Sequence, residues 1–219
     1  MISAVIIVGG RGKRLGQATL NLPKPLVDIN GKPFIHYLIS QLYQCGIRKV
    51  TFLAGYLAEE CTIISELLMD DFDGLSIQIH ESSPSLNTGE RLVEALEELD
   101  DRFLFLYGDN YAPFDLQNYL ENADEQMSSM VVYKNEDNYS NSNIILDSEN
   151  NVLSYGKHKN LENDPSYVDV GYFILNKSQI SEIEIKPNAH FGNDILSKLV
   201  VDGRIQSVQY LPFQDPILA

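Results

Sequence analysis

The stretch Ser3-Ala4-Val5-Ile6-Ile7-Val8-Gly9-Gly10-Arg11-Gly12-Lys13-Arg14-Leu15 decides how the rest of the chain is read. Ala4 to Val8 is a continuous, largely β-branched apolar run, the pattern of a strand buried on both faces of a parallel sheet. It runs into three closely spaced glycines, whose lack of side chains lets backbone N–H groups approach a polyphosphate. Arg14, and further along Lys24, can bring cationic donors onto the same oxygens.

Two better-known glycine loops are excluded. A Gly-x-x-x-x-Gly-Lys-Ser/Thr loop would need glycine where Ile7 stands and a hydroxyl where Arg14 stands. A dinucleotide fingerprint would need its third glycine at Leu15, and Gly16 comes one residue late.

Outward from this loop, strand and helix patterns alternate. Ile35, Leu38, Ile39 and Leu42 share one face of a helix predicted over Phe34 to Gln44, with Pro33 in its first turn and Gly46 as its stop. Lys49 to Ala54 reads as a strand, Leu57 to Met69 as a helix, Leu75 to His80 as a strand and Gly89 to Leu99 as a helix. Phe103 to Tyr107 is a further apolar strand, ending at Gly108-Asp109-Asn110, where open α/β sheets place ligand chemistry. Beyond Met127 the texture changes to short strands at Ser129 to Tyr133, Asn143 to Leu146, Val152 to Tyr155 and Val168 to Leu175. A helix near Asn193 to Val201 and a strand at Ile205 to Tyr210 follow. The expectation is an α/β fold with a Rossmann-like, doubly wound mixed sheet. It forms a single domain over residues 1–219, with a nucleotide-binding part (1–126) and a β-rich part (127–219).

Composition bounds the partners. The 219 residues carry 31 acidic against 16 basic side chains, a formal charge of −15, which argues against nucleic acid or an anionic membrane as partner. A small anion remains compatible, because residues 1–27 hold Arg11, Lys13, Arg14 and Lys24 and no Asp or Glu. Cys45 and Cys61 lie in helical patterns and read as reduced thiols. The Ala4 to Val8 run is too short for a signal-peptide core or a membrane span, so a cytoplasmic protein is expected.

The glycine loop together with Pro23-Lys24-Pro25-Leu26 resembles the Gly-Gly-x-Gly-Thr-Arg-Leu and Pro-Lys-Pro signature of sugar-1-phosphate nucleotidyltransferases, with Lys13 in place of the Thr. Val27 to Phe34 is similar to the segment that follows in that family. The resemblance runs along essentially the whole chain in order and is nearest the heptose- and mannose-1-phosphate guanylyltransferases. It implies the nucleotide-diphospho-sugar transferase fold, with residues 127–219 binding the sugar. The implied reaction joins a nucleoside monophosphate from GTP or CTP to a sugar 1-phosphate and releases pyrophosphate. Arg14 and Lys24 are the implied catalytic cations, and Val8, Gly9, Gly10, Arg11, Gly12, Lys13, Thr88 and Gly89 the implied nucleotide site. Asp109 in Gly108-Asp109-Asn110 is the implied Mg²⁺ ligand, chemically sufficient to begin a site beside bound phosphate.

The family's second metal carboxylate sits in an Asp-x-Gly-Thr-Pro context that is absent here, and Asp215 in Phe213-Gln214-Asp215-Pro216 is the nearest candidate, with Asp169 and Asp194 as fallbacks. Asn110, Gly171 and Tyr172 are the implied sugar contacts, the last two in Val170-Gly171-Tyr172-Phe173. Thr88-Gly89-Glu90-Arg91-Leu92 departs from the guanylyl pattern and looks more like the glucose-1-phosphate cytidylyltransferase version. The competing reading is a plain helix start with Thr88 as cap and Arg91 solvated, and for Glu90 and Arg91 themselves it is the preferred one. Lys157-His158-Lys159 and His190 to Asp194 stand where relatives carry their sugar-binding carboxylates, which leaves the sugar open. Homo-oligomerisation is left open too. Two rival readings remain: a non-catalytic relative that only binds nucleotide or sugar phosphate, and a transferase acting on a non-sugar phosphate.

Overall fold

The computed structural model describes residues 2–9, 22–136, 140–156 and 166–209. Gly10, Arg11, Gly12, Lys13, Arg14, Lys157 to Lys159 and Asp215 lie outside the described residues.

The first apolar run is strand β1 (Ser3–Ile7), buried at every position. A two-stranded hairpin follows, β2 (Asp28–Ile29) and β3 (Lys32–Pro33), turning on Asn30 and Gly31, both at positive φ. Asn-Gly adopts such a turn at little steric cost. Helix α1 (Phe34–Gln44) buries Ile35, Leu38, Ile39 and Leu42, and Gly46 leaves it at φ 81°. Pro33 is the N-cap of α1 and not part of its first turn, because its extended ψ of 142° belongs to β3.

The alternation continues with β4 (Lys49–Ala54), α2 (Ala58–Asp71), β5 (Ser76–Glu81), α3 (Thr88–Ala95) and β6 (Arg102–Tyr107). Helix α4 (Leu116–Asn122), capped by the Asp115 carboxylate accepting from the Asn118 N–H at 3.0 Å, leads to β7 (Ser128–Lys134). Strands β8 (Ile144–Leu146), β9 (Val152–Tyr155) and the eleven-residue β10 (Ser166–Asn176) follow. A short α5 (Lys177–Ser181), a π-helical turn at Phe191–Leu196, α6 (Ser197–Val201) and β11 (Ile205–Gln209) come last.

Nine of the described strands share one sheet, ordered β11-β7-β10-β6-β1-β4-β5, with β8 and β9 attached through β10. β1 lies parallel between β4 and β6, β5 parallel to β4, and β11 parallel to β7; β10 runs antiparallel to both β6 and β7. Successive side chains on these strands point to opposite faces, which separates two cores. Ala4, Ile6, Leu104, Leu106, Tyr172 and Ile174 pack with α1, α2 and α4. Val5, Ile7, Phe103, Phe105, Phe173 and Leu175 pack with α3, the π turn and α6 on the other side. Phe191 in the π turn stacks within 4.4 Å of Phe105 and 5.1 Å of Phe173, so the last helical layer is anchored on the central strands. Both cysteines are free thiols, and burial pushes the Cys61 thiol up to about 12, with Glu60 adding to the rise and Arg91 opposing it. Among the described residues, no helix is long and apolar enough to cross a membrane.

Candidate active site

The carboxyl ends of β1, β4 and β6 lie side by side, which places Gly9, Gly55 and Gly108-Asp109 on one rim. The rim is closely tied. Gly108 donates its N–H to the Ile7 carbonyl at 2.9 Å and Val8 donates to the Leu53 carbonyl at 3.1 Å. A Cβ on Gly108 would lie 2.6 Å from the Ile7 oxygen and 3.0 Å from Pro25 Cγ, so only glycine lets the 3₁₀ turn Lys24–Leu26 pack there. That packing delivers Lys24 to Asp109: Nζ donates to Oδ2 at 2.5 Å, with the two side chains 39% and 40% exposed. An ammonium and a carboxylate reachable from solvent at the ends of buried parallel strands form a polarised pair that can divide between a phosphate oxygen and a cation.

The residues expected to contact the sugar are arranged differently from expectation. Asn110 donates from Nδ2 to the Val170 carbonyl and covers Gly171, which sits at φ 80° where the β10–β7 register shifts. The glycine is required by its backbone angle and by the Asn110 amide above it. Tyr172 is not brought to the site. It is 0% exposed on the α1/α4 face, and its hydroxyl donates to Gln41 Oε1 at 2.7 Å, because alternation along β10 turns it away from Asp169 and Phe173. Of the fallback ligands, Asp169 accepts from the Asn143 amide and from the Tyr155 hydroxyl at 3.3 Å, and burial raises its carboxyl above the ordinary value. Asp194 accepts from the His190 N–H at 2.7 Å as a local cap. Among the described residues, no group of three His, Cys, Asp or Glu side chains is placed to hold a metal; Asp109 is the carboxylate of the rim itself.

At the other end of the rim, the N-terminus of α3 departs from the expected cap. Asn87 is the N-cap, in a capping box with Glu90, whose carboxylate accepts from the Asn87 N–H at 2.9 Å and from the Asn188 N–H at 2.9 Å. These two bonds hold the Glu90 carboxyl below its ordinary value. Thr88 instead accepts from the Phe191 N–H at 2.9 Å, and Gly89 donates to the Ala189 carbonyl at 3.0 Å with no room for a Cβ. Thr88 and Gly89 therefore join the α3 start to the 189–191 segment.

Arg91 is not solvated. It is 3% exposed, and its Nη2 donates to the Leu86 carbonyl at 3.1 Å and the Ser83 carbonyl at 3.4 Å. A Cβ on either Gly9 or Gly55 would overlap the guanidinium, so the two strand ends are glycine where Arg91 lies against them. Nη1 is buried and has no hydrogen-bond partner among the described residues. Burial pulls the Arg91 pKa below its ordinary value, while Glu94 and Cys61 oppose the fall. The sequence did contain a signal for this burial: Thr88, Arg91, Leu92 and Ala95 fall at helical spacing, which puts Arg91 on the face that Leu92 and Ala95 bury.

Residues 3–213 match the family profile described as nucleotidyl transferase. The chain is 25% identical over 190 residues to D-glycero-alpha-D-manno-heptose 1-phosphate guanylyltransferase of Campylobacter jejuni, covering 87% of this chain and 83% of that one. It is 26% identical to the protein of the same name from Aneurinibacillus thermoaerophilus, over 90% of this chain and 84% of the relative. The crystal structure of HddC from Yersinia pseudotuberculosis complexed with GMP-PN superposes with a TM-score of 0.75 at 22% identity, covering 99% of this chain and 96% of that chain, which establishes the shared fold.

Proposed function

Because the chain belongs to the nucleotidyl transferase family, we propose that it transfers GMP from GTP to a heptose- or mannose-type sugar 1-phosphate, releasing pyrophosphate. The observation that carries this reading is the Lys24–Asp109 pair, packed beside Gly9 at the ends of β1 and β6. The choice of GTP rests on the guanylyltransferase relatives.

The exposed, hard-oxygen carboxylate of Asp109 suits Mg²⁺, which commonly takes one or two carboxylates together with substrate phosphates. When bound, the cation supplies charge neutralisation on the triphosphate and polarises the α-phosphate. Asp109 would hold it, with Asp215 the proposed second carboxylate. Lys24 moves from Asp109 onto a phosphate oxygen and, with Arg14, stabilises charge that develops as the sugar phosphate attacks in line. Transfer of this kind depends on positioning and electrostatic stabilisation and requires no covalent enzyme intermediate. Thr88 and Gly89 fix the start of α3 beside the nucleoside, and Asn110 and Gly171 lie on the sugar side.

The test is pyrophosphate release from a panel of nucleoside triphosphates and sugar 1-phosphates with Mg²⁺. Turnover with GTP and a heptose or mannose 1-phosphate is expected. Tight nucleotide binding without turnover on any acceptor would instead identify a non-catalytic relative.

A further inference from the structure

Residues 108–115, between the end of β6 and the start of α4, belong to no strand or helix, and this loop carries Asp109. A carboxylate on such a loop keeps one position only if the backbone around it is held from outside. Buried backbone groups that lack a ladder must likewise find partners elsewhere.

Both needs meet at Ala112, which is buried three residues beyond Asp109. Its carbonyl accepts from Gln41 Nε2 at 2.8 Å and from the Phe114 N–H at 3.1 Å. Its N–H donates to the Tyr172 hydroxyl, which in turn donates to Gln41 Oε1 at 2.7 Å. The three residues close a ring: Gln41 to Ala112, Ala112 to Tyr172, Tyr172 to Gln41. A single side-chain amide on α1 thus grips the loop after β6 and the strand β10 at once.

Helix α1 also packs against the 3₁₀ turn Lys24–Leu26, and Leu26 shares one core with the apolar face of α1, Ala112 and Tyr172. The helix therefore supports both partners of the ion pair from behind: the turn that carries Lys24 and the loop that carries Asp109.

We propose that Gln41 is a positioning residue for Asp109: its hold on the Ala112 carbonyl sets where the loop presents the metal-binding carboxylate relative to Lys24. The inference rests on the proposed function in taking Asp109 as the ligand of the cation. Gln41 acts through the loop backbone and not on a substrate group. Without its amide, the loop keeps its connection to β6 but loses the bond that fixes its far side, and Asp109 samples positions in which the cation is held less well.

The experiment titrates Mn²⁺ into the full chain without nucleotide, with free Mn²⁺ read by electron paramagnetic resonance, and then measures the Mg²⁺ dependence of turnover. Gln41→Met fills the same space without a donor. Gln41→Asn keeps the amide on an arm one methylene shorter, which cannot reach Ala112 and Tyr172 together, and it carries the test should Gln41→Met fail to fold. The control is Tyr119→Phe, which takes from the same core a hydroxyl that bonds Ser129 of β7 at 2.8 Å and the Ile174 N–H of β10 at 3.1 Å.

Both Gln41 variants should bind Mn²⁺ about tenfold more weakly than wild type, the equivalent of one hydrogen bond, and need about tenfold more Mg²⁺ for half-maximal turnover. Tyr119→Phe should melt earlier yet keep the wild-type Mn²⁺ affinity. In the Asp109→Asn background, Gln41→Met should lower the residual turnover no further, because the two residues act along one route. Wild-type Mn²⁺ affinity in a folded Gln41 variant, an equal loss in Tyr119→Phe, or additive losses with Asp109→Asn overturns the inference and leaves the proposed function standing. A wild-type protein that binds no Mn²⁺ overturns the metal role of Asp109 together with it.

Discussion

Replacing Lys24 should have opposite effects on metal binding and on turnover. In the free protein the Lys24 ammonium lies 2.5 Å from Asp109 Oδ2, so a divalent cation approaching this carboxylate meets a positive charge already there. Two unit charges 4 Å apart repel by about 1 kcal/mol in water, so a doubly charged ion meets about 2 kcal/mol, roughly thirtyfold in affinity. Both side chains are about two-fifths exposed, and salt near physiological strength reduces this to about tenfold. Lys24→Met should therefore bind Mn²⁺ about tenfold more tightly than wild type in the absence of nucleotide, read by electron paramagnetic resonance of free Mn²⁺. The same variant should lose about 10²- to 10³-fold in turnover, because a donor to the transition state is gone. Asp109→Asn should abolish the Mn²⁺ signal change in both backgrounds. Equal Mn²⁺ affinity in wild type and Lys24→Met would refute the reasoning, whatever happens to turnover.

Two other substitutions test assignments on the sugar side. Tyr172→Phe should cost about 1–2 kcal/mol in urea unfolding, since Gln41 Oε1 is left without its donor; the KM for the sugar 1-phosphate should stay at the wild-type value, and a large rise would return Tyr172 to the site. Asp169→Asn addresses a raised carboxyl pKa. Desolvation lifts it, with Asn143, Tyr155 and the Gly171 N–H pulling the other way. A raised native value means the folded protein holds this proton more tightly than the unfolded chain, so the contribution is full below the ordinary carboxylate value and is lost as pH rises through the folded value. Asp169→Asn should flatten that decline in melting temperature as pH rises above the ordinary carboxylate value; an unchanged slope would assign it to another group.

Long periodic segments were legible because their burial follows from local pattern. The apolar face of α1 and the span of β4 agree with the reading residue for residue, since each is a run whose period alone identifies it. The breaks at the short elements have physical causes. α4 has seven residues, too few for a helical period to stand out, and its Asp115 cap reads equally as a turn. Pro33 was assigned to the helix because proline suits a first turn, yet the Asn30-Gly31 hairpin already claimed its extended backbone. The site divides in the same way. Lys24 and Asp109 each sit in a compact motif that stands out in the sequence, and packing of Pro25 on Gly108 brings the two motifs together. Arg91 was misread as solvated because its cradle is assembled from Gly9 and Gly55, far away in the chain, and glycines announce nothing about what will fill the space they leave. Tyr172 was misassigned because the motif around Gly171 says that a sharp backbone feature is present and not which face the next side chain takes; the pleat sends it inward.

Strand β10 makes the two portions of the chain inseparable as building blocks. Its last five residues lie on β6 and its central stretch on β7, so the seam between the portions runs through the interior of the sheet and not through a linker. Grafting the segment after residue 126 onto a foreign nucleotide-binding half would require matching an entire ladder of backbone bonds and both apolar layers at once. Exchange of acceptor preference among such proteins is then easier by changing loop residues than by shuffling cassettes, and a cut at that point would expose β6 as a sticky, aggregation-prone edge.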